Sequence, residues 1–180
     1  MEIEKTPLKD CFVLKPRVFN DDRGSFFESF NLKTFKKVTG LEIDFVQDNQ
    51  SISSKGVLRG LHFQKGEYAQ AKLVRVAKGK VLDVAIDLRK DSPSFGKHFS
   101  IELSDQNNYQ LFVPRGFAHG FVVLSEEAIF NYKCDNFYNK ESESGIRFND
   151  PILNINWQLD IEEVLLSEKD IILPFFNEVF

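Results

Sequence analysis

The stretch that decides the fold is KLVRVAKGKVLDVAIDL, running from Lys72 to Leu88. Its β-branched and aliphatic residues alternate with polar ones on either side of Ala77-Lys-Gly-Lys80, which predicts a hairpin with Gly79 at the turn. Similar short runs extend in both directions: FVLKPRVF (12–19), FFESF (26–30), EIDFVQDNQS (42–51), HFSIELS (98–104), YQLFVP (109–114), HGFVVLS (119–125) and AIFNYKC (128–134). Eight or more strands at this spacing predict an all-β chain folded as a two-sheet β-sandwich or jelly roll. Two short helices are expected at its periphery. One covers Asn31 to Val38, with Asn31 as N-cap and Gly40 just past its end. The other lies near Ile161 to Leu165 and is followed by a turn at Ser167–Asp170. No linker, repeat or low-complexity segment interrupts the chain, so residues 1–180 read as one domain.

Lys and Arg number 23 against 27 Asp and Glu, a formal charge of −4. That charge gives no reason to expect nucleic acid or an anionic membrane as a partner, and no basic run longer than two residues occurs. The candidate anion-binding cations, Arg23, Arg59, Lys72 and Lys169, are dispersed, which fits a small anionic ligand better than a polymer. The start of the chain does not read as a signal peptide, and no run approaches the roughly 18 apolar residues of a membrane span. Cys11 and Cys134 read as free thiols of a cytoplasmic protein.

The histidines are His62, His98 and His119. No H-x-H or H-x-x-x-H pair occurs, so a metal site would need His62 and His119 to converge with a Glu. His98, in GKHFSIE, reads as an exposed strand position without a role. His119 sits in VPRGFAHG, a Gly- and Pro-containing loop; it is either a turn histidine bonded to a carbonyl or a ligand contact. His62 lies in GVLRGLHFQ (56–64). Strict alternation puts His62 and Gln64 on one face and Arg59 and Phe63 on the other. One small ligand meeting both Arg59 and His62 therefore requires Gly60 to mark a twist or bulge, or Arg59 to reach around the sheet edge.

Tyr132 shares a face with Ala128, Phe130 and Cys134, so its hydroxyl points inward toward a carbonyl or a substrate. Tyr138 lies in a polar loop and offers an aromatic face. Lys72 shares a face with Val74 and Val76, and its ammonium either snorkels to water or occupies the mouth of the sandwich. Asp170 on its own reads as a turn residue.

Taken in order, Asp21-Asp-Arg-Gly-Ser-Phe-Phe-Glu28, Phe45-Val-Gln-Asp-Asn49, GVLRGLHFQ, Gln70-Ala-Lys-Leu-Val-Arg75, VPRGFAHGF (113–121), Leu124-Ser-Glu126, Asn149-Asp-Pro151 and Leu166-Ser-Glu-Lys-Asp170 resemble the dTDP-4-dehydrorhamnose 3,5-epimerase family. The resemblance spans about Phe12 to Pro174. It implies a cupin-like jelly roll, active as a homodimer without metal or other cofactor. The implied substrate is dTDP-4-dehydro-6-deoxy-D-glucose, epimerised at C3 and C5 beside the C4 ketone. By resemblance His62 is the base, Asp170 its carboxylate partner, Tyr132 the proton donor, and Lys72 the group facing the C4 oxyanion. Arg23, Glu28, Gln47, Asp48, Asn49, Arg59, His119, Glu143 and Lys169 match substrate-binding positions, and Tyr138 matches the residue stacked on thymine. The segment bearing Arg23 and Glu28 is expected to reach the neighbouring subunit's site. Phe148 and His98 stand where relatives often carry Trp. Related enzymes invert only one centre with much the same residues, so a single-site epimerase or ketoisomerase is the alternative. A silent sugar-nucleotide binder and a metal-dependent cupin oxygenase are the other readings.

Overall fold

The computed structural model describes residues 1–180. In chain order its strands are β1 (Glu2–Lys5), β2 (Phe12–Lys15), β3 (Phe19–Asp21), β4 (Gly24–Phe26), β5 (Gln47–Ser54), β6 (Leu58–Gln64), β7 (Lys72–Lys78), β8 (Lys80–Asp87), β9 (His98–Ser104), β10 (Gln110–Val113), β11 (Phe117–Val123), β12 (Glu127–Cys134) and β13 (Glu143–Gly145). The helices are α1 (Leu32–Thr39), α2 (Glu168–Ile171) and α3 (Phe176–Val179). A six-stranded sheet runs β1-β2-β10-β7-β12-β5, and a five-stranded sheet runs β13-β6-β11-β8-β9. The pair β3–β4 forms a separate ribbon.

The two sheets face each other across an apolar core. Val74, Val76, Leu111 and Phe130 come from one side, and Val81, Ala85, Phe117 and Phe121 from the other. The strands β8 and β11 are buried on both faces, because Leu82, Val84, Ala118 and Val122 point outward into a second core. That core is capped by Ile146, Phe148, Leu153 and Trp157 from the last third of the chain. Each fully buried large side chain contributes roughly 1.5–3 kcal/mol. Helix α1 covers part of the other sheet's outer face with Phe35. Its ends are those the sequence predicts: Asn31 Oδ1 accepts from Thr34 N, and Gly40 closes the helix at φ +72°.

The expected hairpin at Gly79 does not form. β7 pairs with β10 and β12, whereas β8 pairs with β11 and β9 in the opposite sheet. A single connecting residue is too short for the two-residue loop of a tight hairpin. Gly79, at φ +78°, instead turns the chain from one sheet to the other. The corner's N–H groups donate to side chains, Gly79 N to Asp105 Oδ2 at 2.8 Å and Lys80 N to Ser125 Oγ at 2.8 Å.

Other local expectations also shift. Within FFESF only Phe26 is in a strand. The second helix shrinks to a 3-10 turn at Ile161–Glu163, because the backbone of Leu165 is taken by Gly56 O and Leu58 N. The turn at Ser167–Asp170 opens α2, with the Ser167 side chain accepting from Asp170 N. His98 is half-buried rather than exposed.

The expected irregularity at Gly60 is present. His119 lies opposite His62 and Phe121 opposite Arg59, so two residues of β6, Gly60 and Leu61, face the single Gly120 of β11. Gly60 sits at φ +144°, and the peptide that follows it is cis. A bulge residue reverses the alternation. Leu58 and Leu61 accordingly both enter the outer core, and Arg59 and His62 share the inward face. A Cβ on Gly60 would lie 2.5 Å from Gly120 Cα, a backbone atom with no room to retreat. We therefore expect Gly60→Ala to cost about 2 kcal/mol or more, read as a lowered melting temperature together with lost activity.

Candidate active site

A cavity of about 640 Å³ opens between the sheets. His62 on β6 and His119 on β11 line it from the five-stranded sheet, and Lys72 on β7 and Tyr132 on β12 from the six-stranded one. The C-terminal segment supplies a further wall with Leu166, Ser167, Lys169 and Asp170. Asn49 and Arg59 complete the predicted residues that line it.

His62 Nε2 lies 2.6 Å from Asp170 Oδ1. A carboxylate only accepts, so Nε2 carries the proton and Nδ1 keeps a lone pair. Burial works to raise the Asp170 pKa. The hydrogen bond and charge of His62, with Ser167 and the Gly60 backbone, outweigh it and leave the carboxyl below its usual range. Ser167 fixes the same turn as N-cap, and Leu165 ties it to β6 through Leu58 N→Leu165 O at 2.9 Å.

Tyr132 is half-buried, and burial raises its pKa, so the phenol stays protonated at neutral pH. Lys72 Nζ stands 5.8 Å from the Tyr132 ring centroid. Burial lowers its pKa. A lysine so placed is the strongest candidate for holding negative charge that develops inside the cavity.

The rim is a connected polar chain. Gln47 Nε2 donates to Asn49 Oδ1 at 3.1 Å, and Tyr138 N donates to Gln47 Oε1 at 3.1 Å. Tyr138 OH donates to Glu143 Oε2 at 2.9 Å, and Lys169 Nζ meets Glu143 Oε1 at 2.5 Å. Burial would raise the Glu143 carboxyl, but Lys169 and Tyr138 bring it below its usual value. Tyr138 and its neighbour Phe137 leave their rings exposed. Arg59 Nε donates to Ser53 Oγ at 3.2 Å, which steadies the guanidinium at the cavity edge.

Six predicted residues are not among those lining the cavity: Gln47, Tyr138 and Glu143 stand at the rim just described, and Asp48, Arg23 and Glu28 lie beyond it. Asp48 points from the opposite face of β5 and pairs with Lys133 at 2.5 Å. Alternation on β5 explains it, since Gln47 and Asn49 take the other face. Arg23 projects from the β3–β4 ribbon with its side chain 89% exposed and pairs with Asp21. Glu28 accepts from Asn31 Nδ2 at 3.0 Å.

The residue that sequence reading missed is Asp83, fully buried on β8 with both carboxylate oxygens 3.0 Å from His119 Nε2. Its signal was available in VLDVAID, where an acid shares the face of Val81 and Ala85 and must find a buried partner. Each cavity histidine is thus tied to its own carboxylate, and nowhere do three His, Cys, Asp or Glu side chains converge with metal-ligand geometry.

Known proteins resemble this chain across almost its whole length. The family profile of dTDP-4-dehydrorhamnose 3,5-epimerase matches residues 5–178. The enzyme of that name from Shigella flexneri is 53% identical over 171 residues, 95% of this chain and 93% of that protein. The solved dTDP-4-dehydrorhamnose 3,5-epimerase of Elizabethkingia anophelis superposes with a TM-score of 0.96 at 58% identity, covering 99% of this chain and 98% of that one. A dTDP-6-deoxy-D-glucose-3,5-epimerase from Legionella pneumophila, solved with dTDP-4-keto-L-rhamnose, superposes with a TM-score of 0.95 at 45% identity, covering 99% and 94%. With its His62–Asp170 pair set across a sandwich cavity from Tyr132, this chain belongs to the dTDP-4-dehydrorhamnose 3,5-epimerase family.

Proposed function

We propose that this chain, acting as one catalytic domain, is an isomerase that converts dTDP-4-dehydro-6-deoxy-D-glucose to dTDP-4-dehydro-L-rhamnose. The observation that carries the mechanism is that His62 and Tyr132 stand on opposite sheets facing one cavity. Inversion at carbon needs a proton removed from one side of the sugar ring and returned to the other. Groups on facing walls can reach both sides of a ring held between them.

His62 Nδ1 takes the proton from the carbon beside the C4 ketone, and the C–H electron pair moves into the enolate. Asp170 holds the Nε2–H and balances the imidazolium that forms. Lys72 stabilises the negative charge gathered on the C4 oxygen. Tyr132 then delivers its phenolic proton to the opposite side of the carbon. Exchange with water removes the proton from His62 and restores it to Tyr132. Because C3 and C5 both flank the ketone, one enolate-stabilising site serves both carbons.

The nucleotide is held at the rim. Arg59 and Lys169 supply cations for the diphosphate, and Tyr138 supplies a face for thymine. Gln47, Asn49 and Glu143 complete that end of the site, with His119 contacting the sugar. Arg23 and Glu28 serve the second subunit of a homodimer. Their positions outside their own cavity support this, as does the exposure of Phe19 and Phe26, 51% and 71%, on the same ribbon.

Turnover of dTDP-4-dehydro-6-deoxy-D-glucose in deuterium oxide, followed by NMR, should place deuterium at both C3 and C5. Label at one carbon alone would reassign the chain to a single-site epimerase. His62→Ala should reduce kcat by about 10²- to 10⁴-fold or more while dTDP binding persists. Mixing inactive His62→Ala with an Arg23→Ala variant should recover activity, because one hybrid site has both residues; no recovery would confine Arg23 to its own subunit. Asp170 also predicts a pH signature. Its folded pKa lies below the unfolded value, so its contribution to stability is complete above that value and is lost as pH falls through the folded one. The melting-temperature advantage of wild type over Asp170→Asn should therefore shrink below about pH 4.

A further inference from the structure

Asp83 lies in the middle of β8 and is fully buried. Its neighbours on the inward face, Val81 and Ala85, belong to the apolar core between the sheets. A carboxylate in such a place has lost its hydration and depends on whatever donors the protein supplies. It has one: His119 Nε2, 3.0 Å from each oxygen. Since the carboxylate only accepts, the histidine proton resides on Nε2, and Nδ1 is the nitrogen left for the cavity that His119 lines.

We propose that Asp83 is a positioning residue for the reaction: it fixes the tautomer and ring orientation of His119 at the cavity wall. It does so without touching substrate. The proposal rests on the epimerase reading given above, so wild-type turnover is measured first, and its absence would overturn that reading.

Asp83→Asn keeps the shape of the side chain and removes its charge. In the full chain we expect kcat to fall about 10- to 100-fold while KM changes less than about three-fold. In a His119→Gln background the same substitution should cost much less in kcat, since the contribution made through His119 is already gone. Losses that simply multiply in the double variant overturn the proposal. Nitrogen-15 NMR of wild-type His119 tests the tautomer independently of turnover and of how well the variants fold. A proton on Nε2 is expected, and a neutral ring carrying its proton on Nδ1 overturns it.

Discussion

Gly60 and Gly120 meet backbone to backbone across β6 and β11, and the site is built around that contact. A Cβ on Gly120 would lie 2.8 Å from Arg59 O, just as one on Gly60 would strike Gly120. Only two glycines let the strands approach this closely while one of them carries an extra residue. The extra residue reverses the alternation of β6. Leu58 and Leu61, three apart, both pack outward, which frees Arg59 and His62 to share the inner face. A regular strand would have sent the guanidinium into the outer core or the imidazole away from Asp170. The irregularity therefore serves packing and chemistry at once.

The second constraint is the path of the chain between sheets. β6 belongs to the five-stranded sheet and β7 to the six-stranded one, and β11 and β12 are divided in the same way. Each crossing delivers one chemical group to each wall: His62 then Lys72, His119 then Tyr132. The walls differ in character as a result. One carries two histidines, each backed by a carboxylate, and the other carries an ammonium and a phenol. A ring held between them meets proton acceptors on one side and donors on the other, which is the asymmetry an inversion requires.

Much of this could be read from residues alone, and the failures have physical causes. The strand runs around Lys72–Leu88 are strands, and the glycine between them is a turn, but local sequence cannot tell a hairpin from a sheet-to-sheet corner. That choice is made by Asp105 and Ser125, which take the corner's N–H groups from a distance in sequence. The bulge at Gly60 was deducible, because one small ligand had to meet residues of opposite parity. Asp83 was overlooked even though its signal has the same form as that of Lys72, a charge on an apolar strand face. The ordered motifs drew attention to the residues that meet substrate and passed over one whose only contact is another side chain. Asp48 shows the opposite limit: it stands within the Gln47–Asn49 run, yet alternation turns it out of the cavity toward Lys133.

The pair His62–Asp170 spans 108 residues of chain, so its geometry depends on how the C-terminal segment returns to β6. Leu165 is laid along the start of that strand by backbone hydrogen bonds with Gly56 and Leu58. After α2, Leu173 packs so tightly on Gly145 that a Cβ there would lie 2.7 Å from its side chain, while Arg147 Nε donates to Leu173 O. Asp150 accepts from Phe176 N at 2.6 Å, and the rings of Phe176 and Phe180 gather around Phe95. The same segment that caps the outer core of the five-stranded sheet thus sets the position of Asp170. Hydrophobic burial on one side of the sheet and tautomer control on the other are consequences of a single chain path. A loss of packing around Trp157 or Leu153 would therefore reach the base through its carboxylate, although neither residue lines the cavity.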